Sequence, residues 1–288
     1  MKAILKRHPI LAYYSLAFAI SWGAILLIVG PGGFLATTST SPSFALVGFT
    51  SLLGPSLAGV LLTSFVGGRA GWRDLLARLR RWHVGAHWYA VALLTAPLVT
   101  ILTMLALSLT SRAFLPAILT AEDKAGILLS GIAVGLVVPA FEELGWTGFA
   151  MPRLRQRHGI LATGLIMGVL WGAWHLPLFA GSAASPGAIP PVLFMAAMLF
   201  AWLLPYRVLM VWVYDRTQSL LVVMLMHVPI VVGALVLNAE AASGEQMFVS
   251  IIANGAGYWL VVGAVALANH GHLAQDQGVR AARDGIPA

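Results

Sequence analysis

Residues 125–149 read AGILLSGIAVGLVVPAFEELGWTGF, an apolar run whose charged members are Glu142 and Glu143. At a rise of about 1.5 Å per residue, a helix of this length crosses the roughly 30 Å hydrocarbon core of a bilayer. Each charged side chain near the centre of such a helix costs roughly 2–3 kcal/mol on insertion scales. The stretch therefore predicts a membrane-spanning fold, and its two adjacent carboxylates mark the place where function is expected.

The whole chain shares this apolar character. Of its 288 residues, 59% are hydrophobic and 9% are charged, with a mean hydropathy of +0.88. Ordinary globular proteins carry about 25% charged residues. So little polar surface cannot cover a water-soluble domain of this size, which excludes a soluble enzyme or binding module. The chain also has no cysteine, which excludes disulfide scaffolds, cysteine nucleophiles and zinc–thiolate sites.

Eight apolar stretches are long enough to cross a bilayer. They are 9–30, 44–66, 88–110, 125–149, 160–180, 191–214, 218–238 and 247–268. We predict an all-α, polytopic membrane protein with eight transmembrane helices. The helices form a single transmembrane domain over 1–268, followed by a short polar cytoplasmic tail over 269–288.

The basic residues predict the orientation of these helices. With the N-terminus in the cytoplasm, 14 of the 17 Lys and Arg residues fall on the cytoplasmic side. The positive-inside rule then predicts that both termini are cytoplasmic, a bias that fits a bacterial inner (plasma) membrane. The net charge of +7 also suits anionic lipid headgroups. Because the basic loops lack interleaved aromatic residues, no nucleic-acid partner is predicted.

Two charged features are predicted to lie at the membrane surface. The segment 67–87 is predicted to contain a short amphipathic helix, with Trp and Leu side chains toward lipid and Arg side chains toward headgroups. Arg207 lies inside the sixth stretch, and we place it near the cytoplasmic end of that helix. The surface helix is interpreted as an anchor rather than as part of a site, whereas the spans that contain charged residues, the sixth included, are where function is expected.

Two of the eight histidines, His175 and His227, lie inside predicted spans. A lone intramembrane histidine is more often a hydrogen-bonding group between helices than a ligand. Together with Glu142 and Glu143, however, these histidines account for most ionisable groups of the membrane interior, which favours a shared site. The alternative is that the two carboxylates are interfacial and balance the basic residues at 153–157.

Two imidazoles and a carboxylate are the groups that activate water. A carboxylate accepts a proton, and imidazoles bind a divalent metal or donate to an oxyanion. Neither HExxH nor GxSxG occurs, so the groups must come from separate helices and a serine mechanism is not indicated. Gly164, Gly168 and Gly172 form a small-residue face that leads to His175 and predicts close packing against a neighbouring helix.

These residues resemble the motifs of the CPBP intramembrane endopeptidases, a family that includes CAAX prenyl proteases and bacterial abortive-infection and bacteriocin-immunity proteins. The first family motif, EExxxR within a run like EExGWRGFxxPRL, resembles EELGWTGFAMPRL at 142–154. The second, an aromatic residue followed four positions later by His, matches Trp171 and His175, and the third begins at His227. The resemblance implies a family core at about 125–238.

The resemblance also implies roles for the site residues. Glu142 would be the general base, Glu143 a supporting carboxylate, and His175 and His227 metal ligands or oxyanion donors. Family members are described both as metal-dependent and as metal-independent glutamate enzymes. A divalent metal, with zinc expected first, would be held by His175, His227 and Glu142, and a metal-free mechanism stays open. The implied partners are membrane lipid and a peptide or protein substrate, lipidated ones included, cleaved near the inner leaflet.

Two positions depart from the family pattern. Thr147 stands where the family arginine orients a carboxylate, which removes a charged partner from Glu142. Val231 stands where the family often has an Asn that donates to an oxyanion. These departures favour one alternative, a non-catalytic membrane immunity protein. A second alternative is a proton-coupled transporter that uses the same Glu and His residues, although no inverted repeat is evident.

Overall fold

The computed structural model describes residues 2–38, 40–181, 189–237, 244–269 and 273. Within these ranges the chain is helical and contains no strand, which confirms the all-α class. The main helices are α1 (Pro9–Gly33), α2 (Phe44–Leu79), α3 (Ala86–Ser108), α4 (Lys124–Arg155), α5 (Ile160–Trp174), α6 (Pro191–Thr217), α7 (Leu220–Val236) and α8 (Gly244–Ala268). Shorter helical segments are Lys2–Arg7, Arg112–Phe114, Ala117–Thr120 and Leu176–Phe179.

Six of the main helices, all except α5 and α7, are long and apolar enough to cross a membrane. These helices identify an integral membrane protein, as the composition predicts. The helices α5 and α7 are also apolar but have 15 and 17 residues, short of the roughly 20 that a full span requires. The predicted tail over 269–288 lies outside the described residues, except at 269 and 273.

A sharp turn between α6 and α7 places these two helices side by side. Helix α6 ends at Thr217, and the capping residue Gln218 adopts the left-handed conformation with φ of 51°. Helix α7 begins directly afterwards, because the Ser219 side chain accepts a hydrogen bond from the Val222 amide at 3.1 Å. Helix α6 is buried on all sides over residues 205–211 and forms the centre of the bundle. Any polar side chain in that stretch must therefore find its partner inside the protein.

The predicted small-residue face of α5 packs closely against α6. A Cβ atom added at Gly164 would lie 2.6 Å from the Cα atom of Val208, and one added at Gly168 would lie 3.0 Å from the Cα atom of Leu204. Gly172 meets the same helix one turn further on. Only glycine permits backbones to approach this closely, so the prediction of close packing is confirmed.

Substituting Gly164 tests the importance of this contact. Gly164→Ala is expected to lower the free energy of unfolding by roughly 1–3 kcal/mol, because the new methyl group meets backbone that cannot rotate away. The matched control is Gly263→Ala in α8, where a Cβ atom has nothing within 4 Å. Thermal unfolding of the detergent-purified variants measures the difference. Equal melting temperatures for the two variants would contradict the packing argument.

The segment 67–87 contains the predicted helix at Gly68–Leu79, the C-terminal part of α2, but its arginines do not all face lipid headgroups. Leu75 and Arg78 are buried against the bundle. Arg78 donates to the carbonyl oxygen of Gly148 at 2.9 Å. That carbonyl lies in the π-helical stretch Trp146–Ala150 of α4, where the altered hydrogen-bond spacing frees acceptors. The predicted orientation is therefore wrong for Arg78, which joins the surface helix to the end of α4.

Candidate active site

The two carboxylates of α4 lie in the protein interior. Glu142 and Glu143 are 2% and 0% exposed. Two of the basic residues that follow them have other partners. Arg153 donates to the carbonyl oxygen of Phe149 at 2.8 Å, and the guanidinium of Arg155 lies 2.7 Å from the carboxylate of Asp215 on α6. The alternative in which the carboxylates are interfacial and balance these arginines is therefore contradicted. Both carboxylates must be stabilised by groups inside the bundle.

Two indole groups hold the Glu142 carboxylate. The Nε1–H group of Trp171 on α5 donates to Oε2 of Glu142 at 2.7 Å, and that of Trp146 donates to the same oxygen at 3.3 Å. Neither indole engages Oε1. The side chain is therefore fixed in orientation while one carboxylate oxygen is left out of both indole bonds. Such an oxygen can act on a bound water molecule without losing its orientation.

The Glu143 carboxylate collects several donors. The Nη1 group of Arg207 lies 3.0 Å from both carboxylate oxygens, and the hydroxyl group of Thr147 donates to Oε2. Nδ1 of His227 lies 2.9 Å from Oε1. A carboxylate oxygen that is paired with a guanidinium accepts hydrogen bonds, so Nδ1 of His227 is the donor in that bond. The Nε2 atom of His227 takes no part in that bond.

Arg207 is a member of this site that the sequence analysis misplaces. It was predicted to lie near a cytoplasmic helix end, but it is fully buried and forms an ion pair with Glu143. Its guanidinium also lies over the Trp171 ring, 4.1 Å from the ring centroid. A signal was available, because Arg207 is the one basic residue within the eight predicted spans. A lone intramembrane arginine needs an anionic partner more than it needs a surface.

This arrangement also corrects the expectation for Thr147. The loss of arginine at this position was predicted to deprive Glu142 of a charged partner. In the structure, Thr147 contacts Glu143 instead, one helical turn away. The cation that neutralises Glu143 comes from Arg207 on α6. The departure from EExxxR therefore leaves the buried glutamate pair with an arginine partner.

His175 lies beside this group rather than within it. It caps the C-terminal end of α5, and its Nδ1 atom donates to the Trp171 carbonyl oxygen at 2.8 Å. Its ring stacks on that of Phe179 with 5.2 Å between the centroids. The Trp171 ring contacts both imidazoles, at centroid distances of 5.5 Å for His175 and 5.2 Å for His227. Both histidines thus border one indole, which also binds Glu142.

Among the described residues, Glu142, Glu143 and His227 form a group that could hold a metal ion. One ligand atom from each lies within 4.8 Å of the others, and all three residues are buried. His175 does not belong to this group. Three of the four predicted site residues therefore converge directly, and the fourth is linked to them through Trp171.

Val231 offers no polar group at the position where the family has Asn. It is a partly buried side chain that packs against the hydrophobic core. A cavity of about 370 Å³ lies nearby. Its lining includes Phe179, which stacks on His175, and Ile230, which lies one helical turn after His227. The site is therefore bordered by a space suited to an apolar group.

Comparison with known proteins agrees with this architecture. Residues 124–232 match the family model described as Type II CAAX prenyl endopeptidase Rce1-like. The matched segment includes the carboxylates, both histidines and the arginine of the site. Residues 124–232 of this integral membrane protein are thus similar to the CAAX prenyl endopeptidases, and the predicted resemblance to the CPBP family is confirmed.

A curated relative shows the same similarity at the level of sequence. The chain is 26% identical over 94 residues to CAAX prenyl protease 2 of the archaeon Methanococcus maripaludis. The aligned segment is 32% of this chain and spans about a third, 35%, of the relative. The similarity is therefore concentrated in part of both proteins.

Proposed function

We propose that this chain is an intramembrane endopeptidase of the CAAX-protease type, which hydrolyses a peptide bond of a membrane-associated protein near the inner leaflet. One observation carries the proposal: Glu142, Glu143 and His227 lie together, fully buried, inside the segment that matches the protease family. Burying two carboxylates side by side is costly. Activating water in a low-dielectric site is a function that accounts for this cost.

In the proposed mechanism, Glu142 is the general base. It accepts a proton from a water molecule as the water oxygen attacks the scissile carbonyl carbon, and the carbonyl oxygen becomes an oxyanion. Glu142 then gives that proton to the leaving amine as the carbon–nitrogen bond breaks. Trp171 fixes the Glu142 carboxylate throughout both steps. Its indole donates to Oε2 at 2.7 Å, whereas Oε1 is the oxygen that accepts and returns the proton. Glu143 holds His227 in one tautomer and does not itself exchange a proton.

The donor set of this site fits a divalent metal. Nδ1 of His227 donates to a carboxylate and Nδ1 of His175 donates to a backbone carbonyl, the two usual ways in which proteins orient a ligating histidine. The proposed ligands are Glu142, His227 and His175, since Glu143 is already neutralised by Arg207. Glu142 and His227 lie within 4.8 Å of each other, whereas His175 stands outside that group, beside Trp171. A bound divalent ion would polarise the scissile carbonyl and favour deprotonation of the attacking water.

Metal analysis tests this set of ligands. The purified chain is expected to carry a divalent ion, zinc first, in stoichiometric amount, and His175→Ala and His227→Ala are expected to lose it. The matched control is His158→Ala, at an exposed position, which should keep the ion. A chelator such as 1,10-phenanthroline should stop cleavage, and added zinc should restore it. Full activity in metal-free protein would contradict metal dependence and favour the metal-free glutamate mechanism.

The topology that supports this function has eight spans and two cytoplasmic termini. The shorter helices α5 and α7 would complete the eight, and both are packed within the bundle against α6 and α4 respectively. Arg78, Arg155 and Arg216 lie where helices end, on the side predicted to be cytoplasmic. A bacterial inner membrane fits this distribution of charge, and membrane lipid would surround the helices.

The proposed substrate is a peptide or protein with an apolar or lipidated residue near the scissile bond. The cavity beside Phe179 and Ile230 supports this choice, because it is large enough for a long apolar side chain or part of a lipid group. The test is reconstitution of the purified chain in vesicles with membrane-anchored peptides, with and without a lipid group. Mass spectrometry would identify any cleaved bond. Products must depend on the chain and on Glu142.

One observation favours a non-catalytic immunity or scaffold protein instead. Val231 offers no hydrogen-bond donor to an oxyanion, a contact worth roughly 3–4 kcal/mol of transition-state stabilisation in other enzymes. In that case the vesicle assay would give no product, and substitution of all four site residues would leave the cellular phenotype intact. Transport driven by a pH gradient in the same vesicles would favour a proton-coupled transporter.

A further inference from the structure

We propose that Arg207 is a positioning residue of the active site, which supplies from α6 the cation that the EExxxR motif places on α4. The inference rests on the proposed function and extends it to a residue outside the family motifs. Its role is to hold Glu143, and through Glu143 to hold His227.

The contacts of Arg207 reach both halves of the site. Its Nη1 group binds both oxygens of Glu143 at 3.0 Å, and Oε1 of Glu143 accepts from Nδ1 of His227 at 2.9 Å. Its guanidinium also covers the Trp171 ring, whose indole donates to Glu142. One side chain therefore fixes the partner of the histidine and packs against the partner of the base.

Stability alone does not account for this arginine. Arg207 and Glu143 are both completely buried, and replacing a buried ion pair by apolar residues of similar volume is often neutral or stabilising. The Nε and Nη2 groups of Arg207 have no hydrogen-bond partner among the described residues, which adds a desolvation cost. Because stability does not account for this cost, we infer that the cation is kept to hold Glu143, which in turn binds His227.

Position 147 lies close enough to Glu143 to hold the cation in place of Arg207. The Thr147 hydroxyl already donates to Oε2 of Glu143, so a side chain at 147 reaches the same carboxylate as Arg207. An arginine at either position would neutralise Glu143, but two arginines there would repel each other. The two positions are therefore alternatives for one role, and this equivalence can be tested by moving the charge.

The experiment compares Arg207→Met, Arg207→Lys and the double variant Thr147→Arg/Arg207→Met with the wild-type chain in the vesicle assay. Arg207→Met is expected to lower kcat roughly 10- to 100-fold with little change in KM, because it disturbs the groups that orient His227 and not the substrate. Arg207→Lys should retain part of kcat, and the double variant should recover most of it. The control is Arg155→Met, which removes the Arg155–Asp215 ion pair away from the site.

A second measurement does not depend on activity. In metal-free, 15N-histidine-labelled chain, the His227 signals, assigned with His227→Ala, should show a proton on Nδ1 that is hydrogen-bonded to Glu143. Arg207→Met should lose this pattern and the double variant should restore it. Unchanged His227 signals in folded Arg207→Met, or failure of the relocated arginine to restore them, would overturn the inference. If wild type shows the predicted pattern but cleaves nothing, the proposed function fails and the positioning role stands.

Discussion

Glu142→Gln is expected to abolish peptide cleavage, with a loss of about 10²- to 10⁴-fold, the usual contribution of a general acid–base residue. Glutamine keeps a carbonyl oxygen that can accept the Trp171 indole bond, so the side chain should hold its place. It cannot accept the proton of the attacking water. Membrane insertion and the melting temperature should therefore change little while turnover is lost.

The matched control shows whether cleavage is lost because the general base is missing or merely because a negative charge has been removed. Glu122→Gln makes the same chemical change at an exposed position before α4, away from the bundle interior. It should leave cleavage and stability unaltered. Rates are measured with the membrane-anchored peptide in vesicles, and folding is checked by size-exclusion chromatography and thermal unfolding. Undiminished cleavage by folded Glu142→Gln would refute the assignment of Glu142 as base.

Glu143→Leu is expected to have the largest effect on stability. It leaves the Arg207 guanidinium buried without its anionic partner, and breaking one side of a buried ion pair costs roughly 3–5 kcal/mol. The guanidinium cannot reach water, since Arg207 is 0% exposed. The variant should insert into membranes yet unfold at a much lower temperature, or fail to yield folded protein. Yield and thermal unfolding in detergent measure this loss.

Two further variants test whether the buried ion pair is the cause of the stability loss expected for Glu143→Leu. The double variant Glu143→Leu/Arg207→Met removes both charges and should regain most of the lost stability, but no cleavage activity, because His227 stays without its carboxylate partner. Asp215→Leu breaks the Arg155–Asp215 ion pair, but Arg155 is 15% exposed and can turn to water, so the loss of stability should be smaller. A Glu143→Leu variant as stable as the wild type would contradict the buried ion pair as described.

Much of the candidate site could be predicted from the types of residues and their positions in the sequence. The scarcity of charge in the predicted spans makes each intramembrane ionisable group conspicuous, and Glu142, Glu143 and His227 do meet in the structure. Arg207 was equally conspicuous but was assigned to the helix end, because long basic side chains often extend from there to the interface. The spacing of residues along one helix does not show which other helices pack around it. The central position of α6, buried on all sides, made that assignment wrong.

The sequence by itself determined the class of structure, since a chain with 9% charged residues can bury its apolar surface only in a membrane. It also predicted the close contact of α5, because glycines spaced four residues apart form a face that a neighbouring backbone can approach closely. Only the tertiary structure decided which side chains share the site. Trp171 binds Glu142, Arg207 binds Glu143, and Arg78 binds the end of α4. Each of these contacts joins different helices, and their geometry depends on helix packing, which no local pattern of residues specifies.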